Sequence, residues 1–323
     1  MRENEPETLK IAVVIPSYRV TQHIEDVIAR IGSEVTSIIV VDDACPDNSG
    51  DFVEKNVSDN RVSVIRHSVN QGVGGAVVSG YRAAIKLGAE IVVKVDGDGQ
   101  MDPSLIPNLI RPIVRQDSDY VKGNRFDSLE GLLEMPRVRI LGNAVLSLWS
   151  KLSTGYWSIN DPTNGFTAIH GNTLRGIPLD KLRKSYFFES DILFRLSVIN
   201  AVVSDMPMAA VYGDEKSHLR IRRVLWEFPY RHTVNYLKRI FYRFYLKEWS
   251  IASIELPIGL TLLSFGAWFG LTSAISANIA GRAATAGQVT LSAIGIILGV
   301  QLLLSFLAYD IQSEPRIPRQ RRY

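Results

Sequence analysis

A largely parallel α/β sheet with helices on both faces, followed by a two-helix membrane hairpin, is the architecture this sequence predicts. Three observations carry that reading. Short continuous apolar runs alternate with helical stretches through the first 220 residues. Two long apolar stretches, close together, follow near the C-terminus. Between sheet and hairpin, basic and aromatic residues interleave at helix-like intervals.

Taken in order, Lys10 to Ile15 (KIAVVI) is an apolar run stopped by Pro16, as expected of a strand buried on both faces. Gln22 to Ile31 reads as a helix, and Ser37 to Val41 (SIIVV) as a second strand ending at Asp42-Asp43. Arg61 to Arg66 and Glu90 to Val95 (EIVVKV) predict two more strands, with helices over Val73 to Leu87 and Ser104 to Arg115. Strands separated by helices of this length give a mostly parallel sheet. Ligands of such sheets bind at the carboxyl ends of the strands. Polar residues gather there, at Pro16-Ser17-Tyr18, Asp42-Asp43 and Asp96-Gly97-Asp98.

Ile251 to Ile275 and Thr285 to Tyr309 are each about the ~20 residues that cross a bilayer core. Arg239, Arg243 and Lys247 precede them, Arg316, Arg319, Arg321 and Arg322 follow, and the loop between holds only Arg282. Basic outer flanks predict an integral membrane protein, in a bacterium of the cell inner membrane, with both termini and the sheet domain in the cytosol. The opening MRENEPETLK has no signal-peptide core. Arg220 to Ser250 combines arginine and lysine with Trp, Tyr, Phe and Leu, a composition suited to the headgroup layer. The predicted organisation is therefore 1–219, a catalytic sheet domain; 220–250, interfacial amphipathic helices; 251–310, the hairpin; and 311–323, a basic cytosolic tail.

The 323 residues are 46% hydrophobic and 21% charged, which excludes a disordered chain. A single cysteine, Cys45, excludes a disulfide framework, and a net charge of +3 gives no argument for nucleic acid. Asn70-Gln71-Gly72-Val73-Gly74-Gly75-Ala76 imitates a dinucleotide fingerprint, but Val77 stands where the third glycine belongs, and the motif follows the third strand. These glycines are expected to bring backbone close to a ligand and present N–H groups at a helix start. The chemistry concentrates in Val95-Asp96-Gly97-Asp98-Gly99-Gln100-Met101-Asp102-Pro103. Two carboxylates at a strand end are costly to crowd together without a cation. Oxygen ligands select Mg²⁺ or Mn²⁺, ions that also hold substrate phosphates. A solvated Asp/Gly turn is the alternative.

At these residues the sequence resembles a known family. IAVVIPSYR, VVDDACPDNSG, NQGVGGA and VDGDGQMDP are similar to the successive motifs of family 2 glycosyltransferases with the GT-A fold. GNRF, DPTNGFTAI and FFESDILFRL, with the basic segment and hairpin, resemble the polyprenyl-phosphate branch, which includes dolichol-phosphate mannose synthases and bacterial undecaprenyl-phosphate glucosyltransferases. The resemblance spans residues 11 to about 310. It implies inverting transfer of a hexose from a nucleotide-diphosphate sugar, of UDP-glucose or GDP-mannose type, to a polyprenyl phosphate at the cytosolic membrane face. A homo-oligomer is left open.

The resemblance also implies site roles. Pro16, Ser17, Tyr18, Asp42, Asp43 and Gly72 would line the nucleotide-sugar site, with Asp43 on base or ribose. Asp96 would orient sugar or nucleotide, Asp98, with Asp96 beside it, would hold the metal, and Gln100 would face sugar or phosphate. Arg125 and Arg139 would meet phosphate, joined at the acceptor by Lys216, Ser217 and Arg220. Glu189 and Asp191 stand where other members keep a catalytic base, and serve either in that role or in organising the acceptor site. A processive polysaccharide synthase is the alternative, but no QxxRW motif and no further spans accompany these residues.

Overall fold

The computed structural model describes residues 9–126, 137–209 and 221–322. They divide into two compact units, Met1–Tyr236 with Pro315–Tyr323, and Leu237–Glu314.

The first unit is built on β1 (Ile11–Ser17), α1 (Ile24–Ala29), β2 (Ser37–Asp42), α2 (Ser49–Asn56), β3 (Val62–Arg66), α3 (Val73–Lys86), β4 (Ile91–Lys94) and α4 (Ile106–Val114). It continues with β5 (Tyr120–Asn124), α5 (Arg137–Thr154), β6 (Thr167–His170), α6 (Gly171–Arg175), α7 (Phe188–Val198), β7 (Val203–Pro207) and α8 (Ile221–Ile240), within which the unit boundary falls. The strands form one seven-stranded sheet in the order β3-β2-β1-β4-β6-β5-β7. The strands from β1 to β4 pair in parallel, as the sequence predicts. β6 runs antiparallel to both β4 and β5, and β5 pairs in parallel with β7.

Alternation along β1 explains why its run is wholly apolar. Ile11, Val13 and Ile15 join a core with Ile24, Val27 and Ile28 of α1 and Ile106, Leu109 and Ile113 of α4. Ala12 and Val14 face the opposite core, with Ala76, Val77 and Tyr81 of α3 and Ile192, Leu193 and Leu196 of α7. Each fully buried Val or Ile contributes about 1.5–3 kcal/mol. α3 packs closest at Gly80, where any Cβ would collide with Val14 Cγ1.

Two elements differ from the sequence reading. α1 is shorter than Gln22 to Ile31. The helix expected from Ser104 begins with a 3₁₀ turn, Pro103–Leu105, because Asp102 accepts the Ser104 N–H at 2.9 Å and Pro103 opens the turn.

Residues 315–322 return to the N-terminal end of β5. There the buried Asp119 carboxylate accepts the Arg319 N–H on both oxygens at 2.9 Å and the Val202 N–H at 2.8 Å. The Gln320 amide donates to the Ile113 and Ser118 carbonyls.

In the second unit, α9 (Ile251–Ile279) and α10 (Ala286–Gln312) pack as an antiparallel pair, each opened by a capping box, at Ser250/Ser253 and Thr285/Gln288. Both run a few residues longer than the apolar stretches read from sequence. Small residues line their seam: a Cβ on Gly266 would strike the Ser292 and Ile296 backbone, and Ser292 Oγ donates to the Gly266 carbonyl at 2.8 Å. A π-helical stretch, Phe241–Lys247, follows α8. The buried Arg239 grips Asp310 through two bonds of 2.6 and 2.9 Å. Arg239 therefore does not act as an unbalanced flanking charge, as the sequence reading assumed. Both long helices are apolar enough to cross a membrane and expose most of that surface, including Trp268, Leu271, Ile297 and Leu304.

Candidate active site

β4 ends at Lys94, and the chain then turns through Val95-Asp96-Gly97-Asp98-Gly99 at the C-terminal end of the parallel strands. Gly99 adopts φ +76°, which favours glycine, and Gly97 lies against Val20 and Ile15. Asp98 Oδ1 accepts the Gln100 N–H at 3.0 Å, and Asp102 binds Arg30, just past α1, at 2.7 Å. The turn is thus anchored at both ends.

Behind it lies a residue that the motif reading overlooked. Lys94 is 1% exposed, and its Nζ sits 2.8 Å from Asp96 Oδ1, 3.3 Å from Glu189 Oε1 and 3.2 Å from the Gly165 carbonyl. Burial alone would lower the Lys94 ammonium, but the charges of Asp96 and Glu189 outweigh it and raise its pKa.

The reversed strand β6 completes the site. Because it is antiparallel, the loop before it, Asp161-Pro162-Thr163-Asn164-Gly165-Phe166, lies at the same end of the sheet as Asp96 and Asp98. Lys94 holds this loop by the Gly165 carbonyl, and Lys122 of β5, also buried, donates to the Asn164 carbonyl. The register places Thr167 between the two lysines. Burial pushes the Lys122 ammonium down to about 8 despite the charges of Glu189 and Asp161. Gly165 has to be glycine here: a Cβ would approach Lys94 Nζ and Asp96 Oδ2 closer than 3.0 Å.

Arg125 follows β5 and is gripped by the buried Asp161, Nε to Oδ2 at 2.7 Å and Nη2 to Oδ1 at 3.0 Å. Burial alone would raise the Asp161 carboxyl, but the hydrogen bonds and charge of Arg125 hold it below the ordinary range. This pairing fixes the plane of a guanidinium at the rim of the site.

The two acidic residues of α7 part company. Glu189 faces Lys94, whereas Asp191 accepts the Arg183 N–H at 3.0 Å and the Arg195 guanidinium at 3.2 Å, stapling the preceding loop to its own helix. Asp42 accepts the Cys45 and Gly50 N–H groups, at 2.8 and 2.7 Å. Asp43 accepts those of Gln71 and Gly72, and takes a 2.6 Å bond from His67 Nδ1. Since a carboxylate only accepts, His67 Nδ1 donates to Asp43, and Nε2 lies 2.8 Å from Ser79 Oγ.

At the start of α3 the Gly72 N–H is taken by Asp43 and the Gly74 N–H by the Lys184 carbonyl at 3.1 Å, and the missing side chains of Gly72 and Gly74 admit the Arg183–Lys184 backbone. Pro16 and Ser17 lie at the end of β1, and Tyr18 beyond them is exposed beneath the Arg19 guanidinium. Arg139 falls within α5. Lys216, Ser217 and Arg220 lie outside the described residues.

The donor set fits Mg²⁺ or Mn²⁺ held jointly with a diphosphate. No group of three or more His, Cys, Asp or Glu side chains forms a cage among the described residues. With Asp96 engaged by Lys94, Asp98 is the carboxylate suited to the ion, and the remaining oxygen ligands fall to phosphate and water, as is usual for these ions.

A carboxylate crest at the C-terminal ends of the parallel strands lies where sheets of this kind bind their ligands. Residues 12–179, just over half of the chain, match Glycosyl transferase family 2, and the chain belongs to that family. It is a glycosyltransferase of GT-A type. It is 28% identical over 207 residues to the undecaprenyl-phosphate mannosyltransferase of Micrococcus luteus, covering 63% of this chain and 84% of the relative. It is 29% identical over 218 residues to the UDP-N-acetylglucosamine–dolichyl-phosphate N-acetylglucosaminyltransferase of Methanococcus voltae, covering 63% and 86%. Among solved structures, glucosyl-3-phosphoglycerate synthase from Mycobacterium tuberculosis, in complex with Mn²⁺, UDP and phosphoglyceric acid, superposes with a TM-score of 0.54 at 19% identity, covering 72% of this chain and 78% of that one.

Proposed function

We propose that this chain transfers a hexose from a nucleotide-diphosphate sugar to a polyprenyl phosphate at the cytosolic face of a membrane, with inversion at the anomeric carbon. The observation that carries the reading is one chain joining a carboxylate crest suited to a metal–diphosphate with a pair of long, exposed apolar helices. A soluble protein rarely leaves so large an apolar surface uncovered. The relatives named above, whose acceptors are polyprenyl phosphates, support the acceptor class.

α8 adds to this reading. Trp226, Tyr230 and Leu237, with Phe241 just beyond, recur at helical spacing and are exposed, as suits a face lying in the headgroup layer. Residues on either side of the hairpin, up to Tyr236 and from Pro315, belong to one folded unit. This supports both ends of the hairpin lying on the same side, and the basic outer flanks favour the cytosol.

A phosphate oxygen of the acceptor is already anionic at neutral pH, so the nucleophile needs little help from a base. A divalent ion held by Asp98 would offset charge gathering on the departing diphosphate. Asp96 and Gln100 orient the donor from the floor of the crest. Arg125, locked by Asp161, meets an acceptor or donor phosphate, with Arg139, Lys216, Ser217 and Arg220 as further acceptor contacts. Glu189, facing Lys94, organises the crest, and Asp191 acts at one remove through the loop it staples. Pro16, Ser17, Tyr18 and the Asp43–Gly72 junction border the nucleoside.

The test is incubation of the purified full-length protein with labelled UDP- and GDP-sugars and either undecaprenyl or dolichyl phosphate, scoring label that partitions into organic solvent. Label should move into lipid, stop with EDTA, return with Mg²⁺ or Mn²⁺, and vanish in Asp98→Ala. Full activity after exhaustive chelation refutes the metal assignment. Label moving only to a soluble phosphorylated acceptor refutes the lipid assignment.

A further inference from the structure

The buried lysine behind Asp96 is not dictated by the packing of its strand. Lys94 closes a strand whose other members, Ile91, Val92 and Val93, are fully buried and apolar, and an aliphatic side chain would continue that pattern. An ammonium is retained instead, and such a group survives burial only when paired and hydrogen-bonded. Its partners come from three separate parts of the site: Asp96 on the donor turn, Glu189 on α7, and the Gly165 carbonyl on the loop that carries Asp161, the partner of Arg125. Gly165 lacks the Cβ that would push the ammonium away from Asp96.

We infer that Lys94 is a positioning residue that gives the two carboxylates of Asp96-Gly97-Asp98 different duties, holding Asp96 out of the metal's ligand set and cancelling charge that would repel a diphosphate. The inference rests on the reading of this crest as a metal–diphosphate site. The pairing removes one of two adjacent negative charges from the crest without removing the side chain. Asp96 is then a neutralised, oriented hydrogen-bond acceptor for the donor, and the ion's charge falls on Asp98 and the diphosphate. Without Lys94, Asp96 and Glu189 would face each other as uncompensated carboxylates, and Asp96 would compete for the ion.

The experiment measures binding, not turnover. The detergent-solubilised full-length chain is titrated with Mn²⁺ alone, free ion being read by electron paramagnetic resonance, and separately with UDP and GDP without metal. Asp98→Asn should weaken Mn²⁺ binding at least tenfold and Asp96→Asn less than twofold. Lys94→Met should tighten Mn²⁺ binding roughly tenfold and weaken nucleoside diphosphate binding by a similar factor, the size expected of one nearby unit charge in a partly screened site. The neutral pair Lys94→Met/Asp96→Asn should return both constants to within about twofold of wild type, since the added charge and the competing ligand are removed together.

If Lys94→Met alone fails to fold while the neutral pair folds, that rescue itself supports charge pairing. The proposal is overturned if Asp96→Asn weakens Mn²⁺ binding as much as Asp98→Asn, or if the single and paired variants behave alike. Should all the binding constants follow expectation while no lipid acceptor is glycosylated, the proposed acceptor is wrong and the role of Lys94 stands.

Discussion

Gly165→Ala tests how tightly the crest is built. The new Cβ would lie closer than 3.0 Å to Lys94 Nζ and Asp96 Oδ2, and 3.0 Å from Met101 Cε, whereas ordinary contact starts at 3.4 Å. Lys94 is 1% exposed and already held by three partners, so it cannot swing into solvent. Overpacking of this kind costs about 1–3 kcal/mol. For a unit of this size that corresponds to a midpoint lowered by roughly 2–12 °C. The effect on transfer should be larger than the effect on stability, because a shift on the order of 1 Å in a reacting site costs ~10²-fold in rate. Thermal unfolding in detergent and initial rates of lipid glycosylation are the two measurements. Gly142→Ala on α5 is the control: a Cβ there meets nothing within 4 Å, and alanine should stabilise the helix by up to about 1 kcal/mol. A Gly165→Ala enzyme with wild-type kcat and KM would refute the argument that this glycine makes room for the Lys94–Asp96 pair.

Three further outcomes are expected. Burial raises the Asp205 carboxyl to about 6, so its contribution to stability is complete below the unfolded value near 3.8 and is lost as pH rises through 6; the unfolding midpoint should fall across that window, and Asp205→Asn should flatten the fall. Deleting residues 315–323 removes the Arg319 N–H from the buried Asp119 carboxylate and should destabilise the sheet unit by about 1–3 kcal/mol, seen as a lower midpoint; an unchanged midpoint would show that the docked tail contributes nothing. In a Cys45→Ser background, a membrane-impermeant thiol reagent added outside intact cells should label a cysteine at position 283 and spare one at position 316; the reverse pattern would invert the topology.

What the sequence revealed follows a physical line. β1, β2 and β4 are buried on both faces by flanking helices, so their residues are continuously apolar and stand out from the surrounding polar chain. The Asp-Gly-Asp turn was legible because it interrupts such a run, and the hairpin because lipid-facing helices carry almost no charge. β5, β6 and β7 escaped notice for the opposite reason. Tyr120-Val121-Lys122-Gly123-Asn124 and Val203-Ser204-Asp205-Met206-Pro207 carry the site's polar groups within the strands themselves, and β6 has only four residues. A lysine inside an otherwise apolar run, as in EIVVKV, was the one available signal for Lys94. Asp42, Asp43 and Asp191 show the converse limit: sequence marks them as acidic residues at strand ends or on a helix, but only the fold shows their oxygens receiving backbone N–H groups.

The reversed strand is what turns a sheet edge into a reaction site. If β6 ran parallel to β4, the loop before it would emerge at the opposite end of the sheet, beside Asp119, and Asp161 could not reach Arg125. Running antiparallel, it delivers Asp161 to Phe166 over the ends of β4 and β5, and the lysine at each of those strand positions secures one carbonyl of the loop. The same lysines offset the negative charge gathered by Asp96, Asp98, Asp161 and Glu189 at the crest proposed to take an anionic donor. Apolar residues at 94 and 122 could satisfy the packing, yet they would leave the carbonyls unpaired and the carboxylates uncompensated, each a penalty larger than the packing gained. On the function proposed above, the buried lysines serve the folding of the crest and its recognition of phosphate together.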